Sequence, residues 1–213
     1  MGSILNNRAN RVYEEITRLY PLAHCELRYS NALELMIAII LSAQTTDLAV
    51  NQVTLKLFEK YHTFEDYMNV ELSLLEQDIR HLGLYKNKAK SIQGMAKIVY
   101  EEHKSIFPNL LSDLMKLPGV GRKTANVFLA EWYKIPRIAV DTHVSRVSVR
   151  LGLAKKDDSV YKIEDKLMRK FPKDQWIEMH HKLIFFGRYF CKSISPNCTE
   201  CPLIDICKTP FPR

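Results

Sequence analysis

The chain has 213 residues, of which 46% are hydrophobic and 26% charged, so it can bury a substantial core and is not a disordered segment. Its longest strongly apolar stretch, residues 35–41, is far shorter than the roughly 20 residues that a membrane-spanning helix needs, so we expect no membrane partner. Lysine and arginine outnumber aspartate and glutamate by 31 to 24, and the net charge of +7 favours a polyanionic partner such as nucleic acid.

Apolar residues recur at helical spacing along almost the whole chain, and no stretch alternates as a half-buried strand would. The sequence therefore predicts an all-α fold. Helices are expected near residues 8–20, 31–43, 47–60, 71–82, 87–104, 110–117, 122–133, 142–152, 158–171 and 174–190.

Several helix boundaries carry recognisable signals. The segment 31–43 is apolar nearly all round, which is typical of a central helix covered on every side. Asp47 is expected to cap the helix that follows it, Gly83 to adopt the left-handed conformation after a helix, and Pro172 to stop a helix.

A glycine-containing segment, Leu-Pro-Gly-Val-Gly-Arg-Lys-Thr at residues 117–124, separates two predicted helices. Gly119 and Gly121 are expected to turn the backbone with positive φ and to leave amide N–H groups uncovered. Those amides and the start of the next helix predict a site for a DNA backbone phosphate, flanked by Arg122. The alternative is an ordinary turn between two helices.

Lys123 falls in the first turn of the helix that follows this segment. A cation is unfavourable there, because the helix dipole opposes positive charge at an N-terminus and the expected partial burial adds a desolvation penalty. Both effects favour the neutral amine, which is a nucleophile. The alternative is a solvent-facing lysine whose charge binds phosphate.

Asp141 follows the apolar run Ile-Ala-Val at residues 138–140 and is expected to be the N-cap of another helix. Capping holds a carboxylate ionised and oriented, so a structural role does not exclude a catalytic one. No role is assigned to the nearby His143.

Four of the five cysteines crowd into one loop near the C-terminus, with spacings of six, two and five intervening residues. No signal peptide is recognisable, so we expect a cytoplasmic protein in which such clustering indicates metal binding rather than disulfides. The close, uneven spacing favours one four-iron, four-sulfur cluster, with structural zinc as the alternative. The expected ligands are Cys191, Cys198, Cys201 and Cys207.

From about residue 13 to residue 207 the sequence resembles endonuclease III, a family of helix-hairpin-helix DNA glycosylases. The resemblance rests on several motifs together: Leu-Ser-Ala-Gln-Thr-Thr-Asp at 41–47, Gly-Leu-Tyr at 83–85, the hairpin and helix at 117–126, Val-Asp-Thr-His at 140–143, and the cysteine spacing.

This resemblance implies a two-lobed fold. A six-helix lobe of about residues 25–135, carrying the hairpin, would be inserted into an iron–sulfur lobe made of residues 1–24 and 136–213, with DNA in the cleft between them. Lys123 would be the nucleophile and Asp141 its essential partner at this boundary. Gln44 and Leu84 would fill the gap left by a flipped-out nucleotide, whereas the alternatives are a solvent-facing helix end and an apolar cap contact.

The implied function is a bifunctional DNA glycosylase and abasic-site lyase of base excision repair. It would act as a monomer on damaged double-stranded DNA at the nucleoid, removing oxidised pyrimidines of the thymine glycol type. One alternative is an adenine-mismatch glycosylase of the same fold, which typically lacks the lysine. Another is a non-catalytic, zinc-containing DNA-binding module.

Overall fold

A computed structural model describes the backbone of residues 2–209 and the side chains from residue 8 to residue 209. Within that range the regular structure is entirely helical, which confirms the all-α prediction. The α-helices are α1 Gly2–Leu19, α2 Ala32–Leu41, α3 Asp47–Lys60, α4 Phe64–Asn69, α5 Leu72–Asp78, α6 Tyr85–His103, α7 Leu111–Leu114, α8 Arg122–Glu131, α9 Thr142–Arg150, α10 Val160–Lys170 and α11 Trp176–Phe185. Short 3₁₀ segments lie at Lys173–Gln175 and Ile204–Ile206, and a π-helical turn spans Phe186–Phe190.

Two helices differ from the sequence-based expectation. Helix α4 was not predicted, because its six residues are too few to show a period; a capping box between Thr63 and Asp66 starts it. The helix expected at 110–117 is a single turn, α7, because the residues after Leu114 turn into the hairpin instead of continuing the helix. No helix among the described residues is long and apolar enough to cross a membrane.

Two predicted boundary residues have different roles from those expected. Thr46, not Asp47, is the N-cap of α3: its hydroxyl accepts the N–H of Ala49, and Asp47 stands in the first turn. The left-handed residue before α6 is Leu84, with φ 60°, rather than Gly83. Pro172 follows Phe171, the C-cap of α10, and lies outside the helix, as predicted.

The chain divides into two compact units. One is the continuous stretch of residues 26–133, with α2 to α8. Helix α2 is its central element, as its all-round apolar sequence predicted. Every residue from Leu35 to Leu41 is buried, together with Leu33.

The other unit combines residues 1–25 with residues 134–213. Its core takes apolar side chains from α1, α9, α10 and α11 and from the segments between and after them: Ala9, Val12, Ile16, Ile138, Val140, Val144, Val147, Leu151, Leu153, Ile163, Leu167, Phe171, Met179, Leu183, Phe186 and Leu203. Within this unit the fully buried Lys182 of α11 donates to the Thr17 hydroxyl of α1 at 2.7 Å and pairs with Glu178. Residues from opposite ends of the chain are therefore packed in one core.

Candidate active site and cysteine loop

The hairpin between α7 and α8 turns at one glycine, not two. Gly119 has φ 76°, a conformation that favours glycine. A Cβ at this position would also lie only 2.6 Å from the Cβ of Ser91, so there is no room for a larger residue. Gly121 has φ −84° and is the N-cap of α8, which contradicts the positive φ expected for it. The N-cap residue has no side chain with which to cap this helix, and a helix N-terminus favours an anion.

This difference predicts opposite behaviour for two matched variants. Gly119→Ala should cost at least about 1–2 kcal/mol, because alanine is strained at positive φ and meets Ser91. That corresponds to a fall in Tm of roughly 2–8 °C in thermal unfolding. Gly121→Ala should leave Tm nearly unchanged, since a Cβ there has no neighbour within 4 Å. Equal losses of stability in the two variants would contradict this account of the hairpin.

Lys123 is the second residue of α8 and is exposed. The partial burial expected from the sequence is therefore absent, because the buried face of α8 begins only at Ala125. The amine of Lys123, in the first helical turn after Gly121, is accessible from solvent. Arg122, half-buried, precedes it.

Asp141 is the N-cap of α9 in the other unit, as predicted: its Oδ1 accepts the N–H of Val144 at 2.7 Å. The carboxyl is half-buried and follows the buried run Ile138–Ala139–Val140, which fixes where the helix begins. Burial lowers the pKa of the neighbouring His143, an effect that Asp141 opposes and Arg146 reinforces.

Gln44 and Leu84 both lie in residues 26–133 and share an unusual backbone conformation. Gln44, in the turn after α2, has φ 55°, and Leu84, the N-cap of α6, has φ 60°. Both side chains are exposed, Leu84 by 53%. Left-handed conformation in a non-glycine residue costs about 1–2 kcal/mol, and such strain is concentrated at functional sites.

The four cysteines of the C-terminal loop line one cavity of about 360 Å³. Their thiols are not in disulfides. Burial raises the pKa of Cys201, and the neighbouring Cys191 and Cys207 raise it further. Burial likewise raises the pKa of Cys198, again with contributions from Cys191 and Cys207. Thiolates gathered here repel one another and require a compensating cation.

The donor set and the cavity fit an iron–sulfur cluster. Among residues 8–209, no three histidine, cysteine or acidic side chains are grouped to hold one metal ion as the side chains stand. A four-iron cluster distributes its thiolates over four separate iron atoms, so the ligands have to surround a cavity rather than a point. Cys191, Cys198, Cys201 and Cys207 do surround one.

Two arginines that the sequence reading did not single out fix the first cysteine. Arg150, the last residue of α9, donates to Cys191 Sγ at 3.3 Å and to the Lys192 carbonyl at 2.7 Å. Arg146, one turn earlier, donates to the carbonyls of Gly187 and Cys191 at 2.6 and 3.2 Å. Their spacing of four residues on one helix face was the available signal. The helix that begins at Asp141 thus also supports the cysteine loop.

Comparison with known proteins gives consistent matches along the chain. Residues 37–173 match the HhH-GPD superfamily of base excision DNA repair proteins. Endonuclease III of Bacillus subtilis (strain 168) is 53% identical over 195 residues, 92% of this chain and 89% of that protein. Endonuclease III of Rickettsia prowazekii (strain Madrid E) is 40% identical over 200 residues, 93% of each chain. A trapped covalent intermediate of an endonuclease III with DNA has a TM-score of 0.94 and 50% identity over 95% of each chain.

Proposed function

Because the chain belongs to the endonuclease III family of base excision DNA repair proteins, we propose that it removes oxidised pyrimidines of the thymine glycol type from duplex DNA and then nicks the strand by β-elimination. It is an enzyme, a DNA glycosylase and abasic-site lyase. We also propose its substrate range, its catalytic residues and its cofactor.

The observation that carries the mechanism is the exposed amine of Lys123 in the first turn of α8. The similar endonuclease III was captured as a covalent intermediate with DNA, which requires a nucleophile in that protein. A lysine nucleophile accounts for both activities, since the imine that it forms with the sugar is the species that permits strand cleavage.

In the first half of the reaction, the Lys123 amine attacks C1′ of the damaged nucleotide. The bond from C1′ to the base nitrogen breaks, and the base leaves with the bonding electrons and takes up a proton. The attacking nitrogen gives up one of its two protons and keeps the other, and O4′ takes up a proton from water as the C1′–O4′ bond breaks and the sugar ring opens. A protonated imine joins Lys123 Nζ to C1′.

In the second half, the imine makes the C2′ hydrogens acidic. Loss of one as a proton forms a double bond between C2′ and C3′, and the 3′ phosphate leaves with the electrons of its C–O bond. Water then hydrolyses the imine and restores the free lysine. The strand is nicked without any external oxidant or reductant.

Asp141 is the proposed electrostatic partner of Lys123. Breaking the glycosidic bond builds positive charge on the sugar, and a fixed carboxylate stabilises it. Its position as an N-cap, accepting the Val144 N–H at 2.7 Å, supports this role because it holds the carboxylate oriented before substrate arrives.

Gln44 and Leu84 are the proposed wedge residues. The reaction at C1′ requires the nucleotide to leave the base stack, at a cost of a few kcal/mol that damage reduces. Gln44 is polar and suits the unpaired base opposite, whereas Leu84 is apolar and suits the gap between neighbouring base pairs. Their exposure and strained backbones support this assignment. Gly119, Gly121 and Arg122 are proposed to hold a backbone phosphate nearby.

Cys191, Cys198, Cys201 and Cys207 are proposed to hold one four-iron, four-sulfur cluster. When bound, it ties four points of the loop together by iron–thiolate bonds, which is a structural contribution. Arg150 and Arg146 hold Cys191, the first of these cysteines, against α9 by donating hydrogen bonds to its Sγ and its carbonyl.

Iron content tests this part of the proposal. Wild-type protein prepared without oxygen should be yellow-brown and contain about four irons per chain. Cys198→Ser should lose iron and lower the thermal stability of the unit that holds the loop, because metal binding contributes to folding. Cys25→Ser, outside the loop, is the matched control and should keep its iron. One zinc and no iron in the wild type would favour the structural-zinc alternative.

The overall function is tested by incubating the protein with duplex DNA containing one thymine glycol, with and without borohydride. We expect released base, a nicked strand ending in an unsaturated aldehyde, and a covalent adduct when borohydride reduces the imine. Base release from a mismatched adenine without an adduct would support the adenine-mismatch alternative. Binding without any product would support the non-catalytic module.

The proposed partner is damaged double-stranded DNA, bound by a monomer in the cytoplasm at the nucleoid. The net charge of +7 supports a polyanion, and phosphate contacts make the affinity fall steeply with salt.

A further inference from the structure

Lys88 is a buried cation next to the two proposed wedge residues. It lies one turn into α6 with only 4% of its surface exposed. Its ammonium donates to the Thr45 hydroxyl at 2.9 Å, and Thr45 directly follows Gln44. Its main-chain N–H donates to the Leu84 carbonyl at 3.0 Å. One residue is therefore bonded to both strained turns, by its side chain to one and by its backbone to the other.

Thr45 also makes two hydrogen bonds within its own turn. The Thr45 N–H donates to the Ser42 carbonyl at 3.1 Å, and its hydroxyl donates to the Ala43 carbonyl at 3.3 Å, so both bonds stay within the turn itself. The bond from Lys88, by contrast, reaches this turn from another helix. Positive φ angles also occur at Lys104 and Ser105, so backbone strain alone does not distinguish the wedge turns. What distinguishes them is that Lys88 makes a hydrogen bond to each.

Stability does not explain a lysine at this position. Burying an ammonium against a neutral hydroxyl is unfavourable, because the hydroxyl does not replace the solvation that the charge loses. Burial accordingly lowers the pKa of Lys88. An apolar side chain of similar length, such as methionine, would fill the same space without that cost. Groups that reduce stability and are nevertheless present are often required for function.

We propose that Lys88 is a positioning residue, which holds the Gln44 turn against the start of α6 so that Gln44 and Leu84 enter the DNA with a fixed separation. The inference rests on the proposed wedge role of these two residues. Lys88 itself touches no reacting atom. Its effect should therefore appear where a base has to be unstacked and be small where no base remains.

The test compares Lys88→Met with Lys90→Met in the full-length protein. Lys90 lies on the same helix but is exposed, so both variants lose one positive charge and only one loses the bond to Thr45. Single-turnover excision of thymine glycol from duplex should slow about tenfold in Lys88→Met, which corresponds to ~1.4 kcal/mol of lost positioning. Cleavage of a preformed abasic site should slow less than about threefold. Lys90→Met should match the wild type on both.

Two further readouts separate positioning from packing. The Tm of Lys88→Met should be unchanged or higher than that of the wild type. Fluorescence of 2-aminopurine placed beside the lesion should rise about tenfold more slowly, since it reports unstacking directly. A large fall in Tm with equal rate losses on both substrates would show that Lys88 only supports the fold and would overturn the proposal.

Thr45→Val removes the same bond from the other partner and serves if Lys88→Met does not fold, because valine has the shape of threonine without its hydroxyl. It should reproduce the loss on thymine glycol, and the double variant should be no worse than either single one. Gln44→Ala and Leu84→Ala distinguish a failure of the wedge role from a failure of the Lys88 role. If both excise at the wild-type rate, the wedge role fails and this inference with it. If they are slow while Lys88→Met is normal, only the Lys88 inference fails.

Discussion

The Lys123→Gln variant should give no borohydride-trapped adduct and no strand cleavage, while its affinity for duplex DNA stays close to that of the wild type. Glutamine keeps the length and polarity of the side chain but has no nucleophilic amine, so the imine cannot form. Loss of a reacting group should lower the cleavage rate by at least about 10⁴-fold. One missing charge should reduce the slope of log affinity against log salt by about one unit at most.

Lys97→Gln is the matched control for this experiment. Lys97 is exposed on α6 in the same unit, so the variant loses the same charge from a position outside the proposed site. Its trapping yield should equal that of the wild type. An adduct formed by Lys123→Gln at the wild-type rate would mean that another amine is the nucleophile and would remove the basis of the mechanism.

Asp141→Asn should slow base removal by about 10²–10⁴-fold and leave thermal stability nearly intact. The asparagine carbonyl can still accept the Val144 N–H that Asp141 accepts at 2.7 Å, so the helix keeps its N-cap. It cannot offer a full negative charge to the developing sugar cation. Asp141→Ala should add a stability loss of about 1 kcal/mol, because the cap is then lost as well.

Ser159→Ala provides the control for the cap. Ser159 caps α10 in the same unit by accepting the Lys162 N–H, so its loss should lower the Tm by a similar amount without affecting base removal. Single-turnover rates and thermal unfolding of the four proteins separate the two roles of Asp141. Normal base removal by Asp141→Asn would exclude the carboxylate from catalysis.

Much of this architecture could be predicted because its signals are local. The apolar α2, the cap at Asp141 and the stop at Pro172 each follow from residue types within a few positions. The cysteine loop is equally local, since all four thiols come from one short segment. Such features depend on helix period, side-chain caps and spacing, which the sequence displays directly.

What could not be predicted depends on contacts between distant segments. The exposure of Lys123 depends on which face of α8 packs inward. The bond between Lys88 and Thr45 joins residues 43 positions apart. No local pattern encodes these, because tertiary packing determines them.

Helix α1 is synthesised well before the groups that it binds. Arg8 donates to the carbonyls of Leu151 and Ile206 at 3.1 and 2.5 Å, and Thr17 receives its bond from Lys182. On a ribosome adding roughly 5–20 residues per second, α1 therefore waits on the order of ten seconds or more for these groups. The stretch 26–133, with Lys123, is complete well before then. The nascent chain thus carries Lys123, the proposed nucleophile, before the core that α1 shares with α9 and α11 can close.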